Sequence, residues 1–312
     1  MNRSSSPNSG HWADQPERGN LRLMRLLAWA ARKLGRRAVA PIVRMVVLYF
    51  YLFGGQARRS IAQYQHRLTA TAPGRRLFPV RRAVYRQFLA FAEALLDKLD
   101  CWQEKMQASD LDIVDASRLH EQMGQGRGQI LVSSHLGNME VCRALVNQES
   151  RLMLNVLVHD KHAQQFNHLL HEAGASKLRL LQVSELDMAT MLQLGERIEQ
   201  GEWLAIAGDR IPLHGSRTVD VNFLGAAAAL PQGPWLLAGL LRCPVNLIFC
   251  TKQGDRFRVT LERLADNVAW TRATRNAQIQ SCAQAYADRL AAHCRDAPLQ
   301  WFNFYPFWRR HA

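Results

Sequence analysis

Four short apolar runs alternate with segments of helical periodicity through the middle of this 312-residue chain. Runs of this length suit buried strands, and the segments between them are long enough for helices that cross back over a sheet. Such an alternation predicts a central sheet with helices on both faces. The four runs lie at residues 129–134, 152–159, 177–183 and 203–209, and runs at 245–252 and 256–263 predict two further strands that pair with each other.

Helical periodicity places helices between and around these strands. We therefore predict an α/β fold in which a central mixed sheet is flanked by helices, behind an N-terminal basic amphipathic helical region. The domain boundaries that we predict are 1–20 for a polar, flexible N-terminus, 21–86 for basic amphipathic membrane-interface helices, and 87–312 for the α/β domain. The predicted helices are 85–102, 117–123, 140–147, 162–174, 189–201, 235–241 and 276–294.

The positive charge of the chain is concentrated at its N-terminal end. Residues 1–86 hold 17 Arg and Lys against two acidic residues, or +15, so that the remainder of this +14 chain carries −1. The same region contains the most apolar run, Ala38–Phe53, which at 16 residues falls short of the about 20 that a spanning helix needs. Arginines beside apolar turns are typical of helices that lie in an anionic membrane interface. A core-packing helix with a solvated basic face and a nucleic-acid-binding arm are the alternatives.

The stretch ILVSSHLGNME at residues 130–140 is the strongest candidate for a site. Residues five apart do not meet on one helix, so His135 and Glu140 come together only if His135 ends a strand and Glu140 begins the next helix. Gly137 and Asn138 suit the intervening turn. In that geometry Glu140 would orient the imidazole of His135, which is the arrangement of a general base. A buried structural histidine is the alternative.

Several segments of the chain resemble one known family. SSHLGNMEV at 133–141, the GDR at 208–210, VNFLGAAAALPQGPWLLA at 221–238 and QWFNFYPFW at 300–308 look like the lysophospholipid acyltransferase-like superfamily, and its bacterial late lipid A acyltransferase branch in particular. The resemblance implies an enzyme that moves a fatty acyl chain from an acyl carrier protein or coenzyme A thioester to a hydroxyl of a lipid-linked acceptor. That acceptor is of the lipid A type, a related outer-membrane glycolipid or an aryl polyene lipid, since the FNFYPFW ending is similar to homologues linked to products other than lipid A.

The resemblance also implies roles for particular residues. His135 would be the general base and Glu140 its orienting acid, with direct attack of the acceptor hydroxyl on the thioester and no acyl-enzyme. The absence of a GxSxG motif agrees with this, and Ser133 and Ser134 fit the polar end of a strand better than a nucleophile. The implied substrate-binding residues are Asp209, Arg210, Asn138 and Gly225, where Arg210 would hold an acceptor phosphate or the developing oxyanion.

Other features bear on cofactors, partners and location. Four histidines, His159, His162, His168 and His171, have spacings that a zinc site could use, but no cysteine or carboxylate completes the set, and we expect no metal and no cofactor. Six cysteines without framework spacing indicate the reduced thiols of a cytoplasm-facing protein, and the polar N-terminus shows no signal peptide. Together with the resemblance, this implies the cytoplasmic face of the bacterial inner membrane. We expect no nucleic acid partner. Alternative functions are a non-enzymatic basic membrane- or nucleic-acid-binding protein and a thioester hydrolase that uses the same histidine.

Overall fold

A computed structural model of the chain describes residues 36–71, 80–102, 106, 108–142, 152–158, 177–183, 186–211 and 217–308. These residues form helices around one large sheet and one separate two-stranded ribbon. The helices are α1 Arg36–Phe53, α2 Gly55–Ala70, α3 Val80–Trp102, α4 Leu119–Gln122, α5 Met188–Glu199, α6 Gly233–Leu241 and α7 Arg275–Asp296. The strands are β1 Leu111–Asp115, β2 Ile130–Ser133, β3 Leu154–Val158, β4 Leu178–Gln182, β5 Trp203–Ala207, β6 Thr218–Phe223, β7 Ala226–Pro231, β8 Val245–Gln253 and β9 Arg256–Ala265.

The large sheet has seven strands in the order β1-β9-β8-β2-β5-β3-β4. Strand β2 is the fourth of the seven and pairs in parallel with β5 on one side and β8 on the other. Within this sheet β8 and β9 run antiparallel to each other, so the sheet is mixed. The predicted α/β fold with a mixed central sheet is confirmed, as is the pairing of the strands predicted at 245–252 and 256–263.

The sheet is buried on both faces, as an alternation of side chains along its central strands shows. Ile130 and Val132 of β2 belong to one core cluster, whereas Leu131 between them belongs to a second cluster on the opposite face. Helices α6 and α7 and the β6–β7 ribbon cover the first cluster. This cluster includes the fully buried aromatic side chains Trp235, Tyr286 and Trp301. Because both faces of the sheet are covered, a strand at its centre must be apolar at successive positions.

Helices α1, α2 and α3 pack on one another through a third cluster, which includes Val43, Ile61 and Phe88 and is joined by Phe304. The predicted domain boundary between residues 86 and 87 stays a prediction, and it falls within α3. Among the described residues no single helix has the length and hydropathy of a membrane span. The pair α1 and α2, bent by 90° at Gly54, meets that test only when its two helices are taken together.

One strand and the ribbon were not among the predicted elements. The edge strand β1 is short and half exposed, and the β6–β7 ribbon includes Gly225, for which the resemblance implies a substrate-binding role. The helix predicted at 140–147 begins at residue 139, and its remainder lies outside the described residues, as does the whole helix predicted at 162–174.

The packing of β8 generates a stability prediction. Leu247 is fully buried in the centre of the sheet, so Leu247→Ala should lower the free energy of unfolding by about 2–5 kcal/mol. The matched control is Leu192→Ala on α5, where the side chain is 66% exposed and the change should be within about 0.5 kcal/mol. Urea unfolding measures both, and equal effects would contradict the placement of β8 in the core.

Candidate active site

His135 lies just beyond the carboxyl end of β2, where the chain leaves the sheet. The apolar run Ile130–Ser133 ends there because Ser134 and His135 supply polar groups at the edge of the core. Leu136 then pairs with Trp301 in an antiparallel bridge, and Gly137 pairs with Cys250 of β8. Catalytic groups in α/β sheets collect at this kind of position, beyond the carboxyl ends of parallel strands.

The carboxylate that meets His135 is Asp209, which follows β5 two residues after that strand ends. Its Oδ1 is 2.7 Å from His135 Nδ1, and its Oδ2 accepts a hydrogen bond of 2.8 Å from the His135 backbone N–H. The Asp209 side chain is 2% exposed, whereas that of His135 is 33% exposed. The pair therefore presents an imidazole to the outside while its carboxylate stays inside the core.

Asp209 is held in its ionised form by these neighbours. Burial by itself raises the pKa of the carboxyl, but the charge and hydrogen bonds of His135, together with Arg210, outweigh burial and hold the pKa below its usual value. In the neutral form of the imidazole, an ionised Asp209 favours the tautomer that carries its proton on Nδ1 and its free lone pair on Nε2. It also stabilises the folded state above about pH 4, a contribution that is lost as the pH falls through the lowered pKa.

Glu140 was predicted to orient the imidazole of His135 from the start of the next helix. It lies in the first turn of the helix that begins at residue 139, and its Oε1 is 3.0 Å from Nζ of Lys98 on α3. The acid that contacts His135 Nδ1 in the structure is Asp209. The reason is the strand order: β5 is the direct neighbour of β2, which brings its following residues to the same edge. Whether Glu140 contributes to catalysis stays a prediction.

The residues predicted to bind substrate occupy different surroundings. Asp209 is buried against His135, and Arg210 beside it donates from Nη2 to the Phe302 carbonyl at 3.3 Å. Asn138 is 8% exposed and donates to the Ala94 carbonyl of α3 at 3.0 Å, so its amide supports the turn. Gly225, with φ +76°, forms the tight turn between β6 and β7.

The segment Gln300–Phe302 forms the other wall of the site. Gly137 N donates to Gln300 O at 2.8 Å, and Phe302 N donates to His135 O at 2.9 Å. The segment therefore pairs like a short strand with residues 135–137, which we call the histidine turn. Trp301 Nε1 donates to Asp209 Oδ2 at 3.1 Å. From the sequence, the aromatic density of residues 301–308 fits core closure, an acyl-groove wall or an interfacial belt. The contact with Asp209 was missed, because no spacing in the sequence indicates it.

A cavity of ≈ 230 Å³ lies beside the same turn, between α3, β8 and the segment Gln300–Phe302. The cavity is lined by Asp97, whose side chain is 3% exposed and whose two carboxylate oxygens each lie 2.9 Å from Lys252 Nζ. Among the residues that the structure describes, no group of three His, Cys, Asp or Glu side chains could hold a metal ion. The four histidines considered for zinc lie outside the described residues. All six cysteines are free.

A partly exposed imidazole bonded to a buried carboxylate is an arrangement that suits proton transfer. Residues 16–310 match the family of bacterial lipid A biosynthesis acyltransferases, and the chain belongs to this family, which is membrane-associated in bacteria. The chain is also similar to a phosphatidylinositol mannoside acyltransferase of Mycolicibacterium smegmatis (strain ATCC 700084 / mc(2)155). The two are 23% identical over 198 residues, which cover 64% of this chain and 62% of the relative.

Gly137 carries a backbone requirement that can be tested. It has φ +74°, and a Cβ there would lie 1.7 Å from the Cys250 carbonyl oxygen. Gly137→Ala should therefore lower the free energy of unfolding by about 2–6 kcal/mol, since a left-handed conformation and a backbone clash add together.

Gly254→Ala is the matched control for this variant. Gly254 has φ +62°, and a Cβ added to it would meet nothing within 4 Å, so its alanine variant bears only the conformational cost of about 1–3 kcal/mol. Thermal and urea unfolding measure both variants. An equal loss of unfolding free energy would show that a Cβ at position 137 does not clash with the backbone of β8.

Proposed function

We propose that the protein transfers a fatty acyl chain from an acyl carrier protein or coenzyme A thioester to a hydroxyl of a lipid-linked acceptor. The observation that carries this proposal is the partly exposed His135 bonded through Nδ1 to a buried, ionised Asp209. The names of the family and of the mycobacterial relative both describe acyltransferases with lipid-linked acceptors, which supports the acceptor class. The fold would then be that of the lysophospholipid acyltransferase-like superfamily.

In the proposed reaction His135 Nε2 removes the proton of the acceptor hydroxyl as its oxygen attacks the thioester carbonyl. The resulting imidazolium is stabilised by Asp209, and it returns the proton to the thiolate as the carbon–sulfur bond breaks. An ester and a free thiol are the products, and no acyl-enzyme forms. Ser134, directly before the histidine, supports this direct route, since it is 2% exposed and its Oγ accepts from Leu136 N. Arg210, adjacent to Asp209, is the proposed holder of negative charge on the acceptor or the oxyanion.

Helix α1 is the proposed contact with the membrane. One face, including Val39, Val43 and Val47, is buried against α2 and α3. The opposite face exposes a row of large apolar side chains at helical spacing, with Arg44 exposed among them. A soluble surface rarely carries so continuous an apolar row, whereas an interfacial helix requires one. The exposed side chains are Ile42, Met45, Leu48, Tyr49, Leu52 and Phe53.

The basic charge of this region supports an anionic partner. Residues 1–86 carry the +15 noted above, which would attract the anionic inner leaflet on the cytoplasmic side and steer an acidic acyl carrier protein toward the site. The membrane face and the donor would then be brought together by the same region of the chain.

The first test compares the two carboxylates near His135. Asp209→Asn should lower kcat by up to about 10,000-fold, as the same change does in a Ser-His-Asp triad, because the amide no longer fixes the tautomer of the imidazole. Glu140→Gln, which alters the pair with Lys98, should cost much less, and the reverse ranking would return the orienting role to Glu140. His135→Ala should abolish transfer, and activity within about tenfold of wild type would contradict the general-base mechanism.

Lipid mass spectrometry reads out this test in cells that produce either wild type or His135→Ala. A lipid that gains the mass of one acyl chain only with the wild type identifies acceptor and acyl group together. Release of free fatty acid at the same rate with or without lipid acceptor would instead indicate a thioester hydrolase.

The second test concerns the exposed face of α1. The double variant Met45→Gln/Phe53→Gln removes two side chains that are each 65% exposed, and it should weaken binding to anionic phospholipid vesicles by about tenfold or more. Leu192→Gln, which removes a 66% exposed side chain from α5, is the control and should bind like wild type. Vesicle co-sedimentation at two salt concentrations measures both, and equal binding by the double variant and the wild type would exclude α1 as the docking face.

A further inference from the structure

The carboxylate of Asp209 is held by three hydrogen bonds, and one of them comes from far along the chain. Oδ1 faces His135 Nδ1, while Oδ2 accepts from the His135 backbone and from the indole Nε1 of Trp301. The Trp301 side chain is fully buried. The indole therefore has no role at the protein surface, and its N–H is directed at the buried charge of Asp209.

The torsion of an aspartate carboxylate about its last bond is broad, so a single contact with imidazole does not fix it. Two donors on Oδ2 hold that oxygen in place and keep Oδ1 in line with His135 Nδ1. We propose that Trp301 is a positioning residue for acyl transfer, which acts through Asp209 to hold the ring of His135 in the orientation that presents Nε2 to the acceptor hydroxyl. The functional part of this inference rests on the proposed acyltransferase activity.

Trp301 is itself fixed from two sides, as such a role requires. Its ring packs against Tyr64 and Phe223, with centroids 5.0 and 5.2 Å away, and its backbone carbonyl accepts from Gln87 Nε2 at 2.7 Å. Gln87 is fully buried and accepts in turn from Gln65 Nε2 at 2.7 Å. Helices α2 and α3 therefore hold the tryptophan through a buried amide pair.

The chain offers a matched control in Trp308, seven residues later. Its indole is also buried, also belongs to the aromatic cluster and also donates one hydrogen bond, to the Phe223 carbonyl at 2.9 Å. Trp301→Phe and Trp308→Phe thus remove the same group from the same core, and only the first removes a donor from Asp209.

The kinetic test uses the full-length protein with palmitoyl coenzyme A and a polar lipid extract of the producing bacterium. Trp301→Phe should lower kcat about tenfold with KM changed less than twofold, because a charge-assisted bond near the reacting base is lost. Trp308→Phe should leave both within about twofold. In an Asp209→Asn background, Trp301→Phe should cost less than about a further twofold, since the residue acts through that carboxylate. Equal effects of the two tryptophan variants, or a full tenfold loss added to Asp209→Asn, would overturn the proposal.

A second measurement needs no substrate and separates this inference from the proposed function. In protein labelled with ¹⁵N-histidine, the His135 Nδ1–H resonance, assigned by its absence in His135→Ala, should shift or broaden in Trp301→Phe and stay unchanged in Trp308→Phe. An unchanged resonance in both variants would overturn the positioning role. The expected spectra without any acyl transfer by the wild type would leave Trp301 in its place beside Asp209 and reject palmitoyl coenzyme A as the donor for these lipids instead. If Trp301→Phe does not fold, β-(3-benzothienyl)alanine at position 301 keeps the shape, lacks the N–H and replaces it in both measurements.

Discussion

The buried negative charge of Asp209 is the constraint on which the carboxyl edge of the sheet depends. An isolated carboxylate in a protein core costs several kcal/mol, so the fold must bring donors to it. They come from two distant parts of the chain, the turn after β2 and the segment that contains Trp301. Close packing follows from this demand: a Cβ on Gly208, next to Asp209, would lie 2.7 Å from Val132 Cγ1 and 2.9 Å from the Tyr286 ring. A glycine precedes Asp209 because the backbone must approach so closely.

Much of the sheet could be predicted from the sequence, because its strands are the kind that local pattern reveals. β2 and β5 are apolar at nearly every position, because a strand that is covered on both faces needs apolar side chains on each of them. The β6–β7 ribbon also left a signal, since Thr218–Phe223 alternates buried and exposed side chains and is followed by a Leu-Gly turn.

The site was harder to predict because its contacts cross the sheet. The HxxxxE spacing correctly indicated a histidine at a strand end and an acid in the next helical turn, but spacing cannot tell which acid is buried. Asp209 reaches His135 only because β5 lies next to β2 in the sheet, although β3 and β4 come between them in the chain. Local periodicity in the sequence does not predict this strand order. Trp301 is 92 residues from Asp209, and its indole is directed there by packing that no segment of the chain contains by itself.

The pairing of Gln300–Phe302 with the histidine turn also has a consequence for biosynthesis. A ribosome adds about 5–20 residues each second, so a nascent chain has made His135 and Asp209 several seconds before it makes Trp301. During that interval Asp209 lacks its indole donor and the turn after β2 lacks the strand that covers it. The face of α1 that we propose contacts the membrane is made long before Trp301. If α1 docks as proposed, attachment to the membrane would precede the completion of the site, and His135 and Asp209 would gain their last contacts beside the lipid surface.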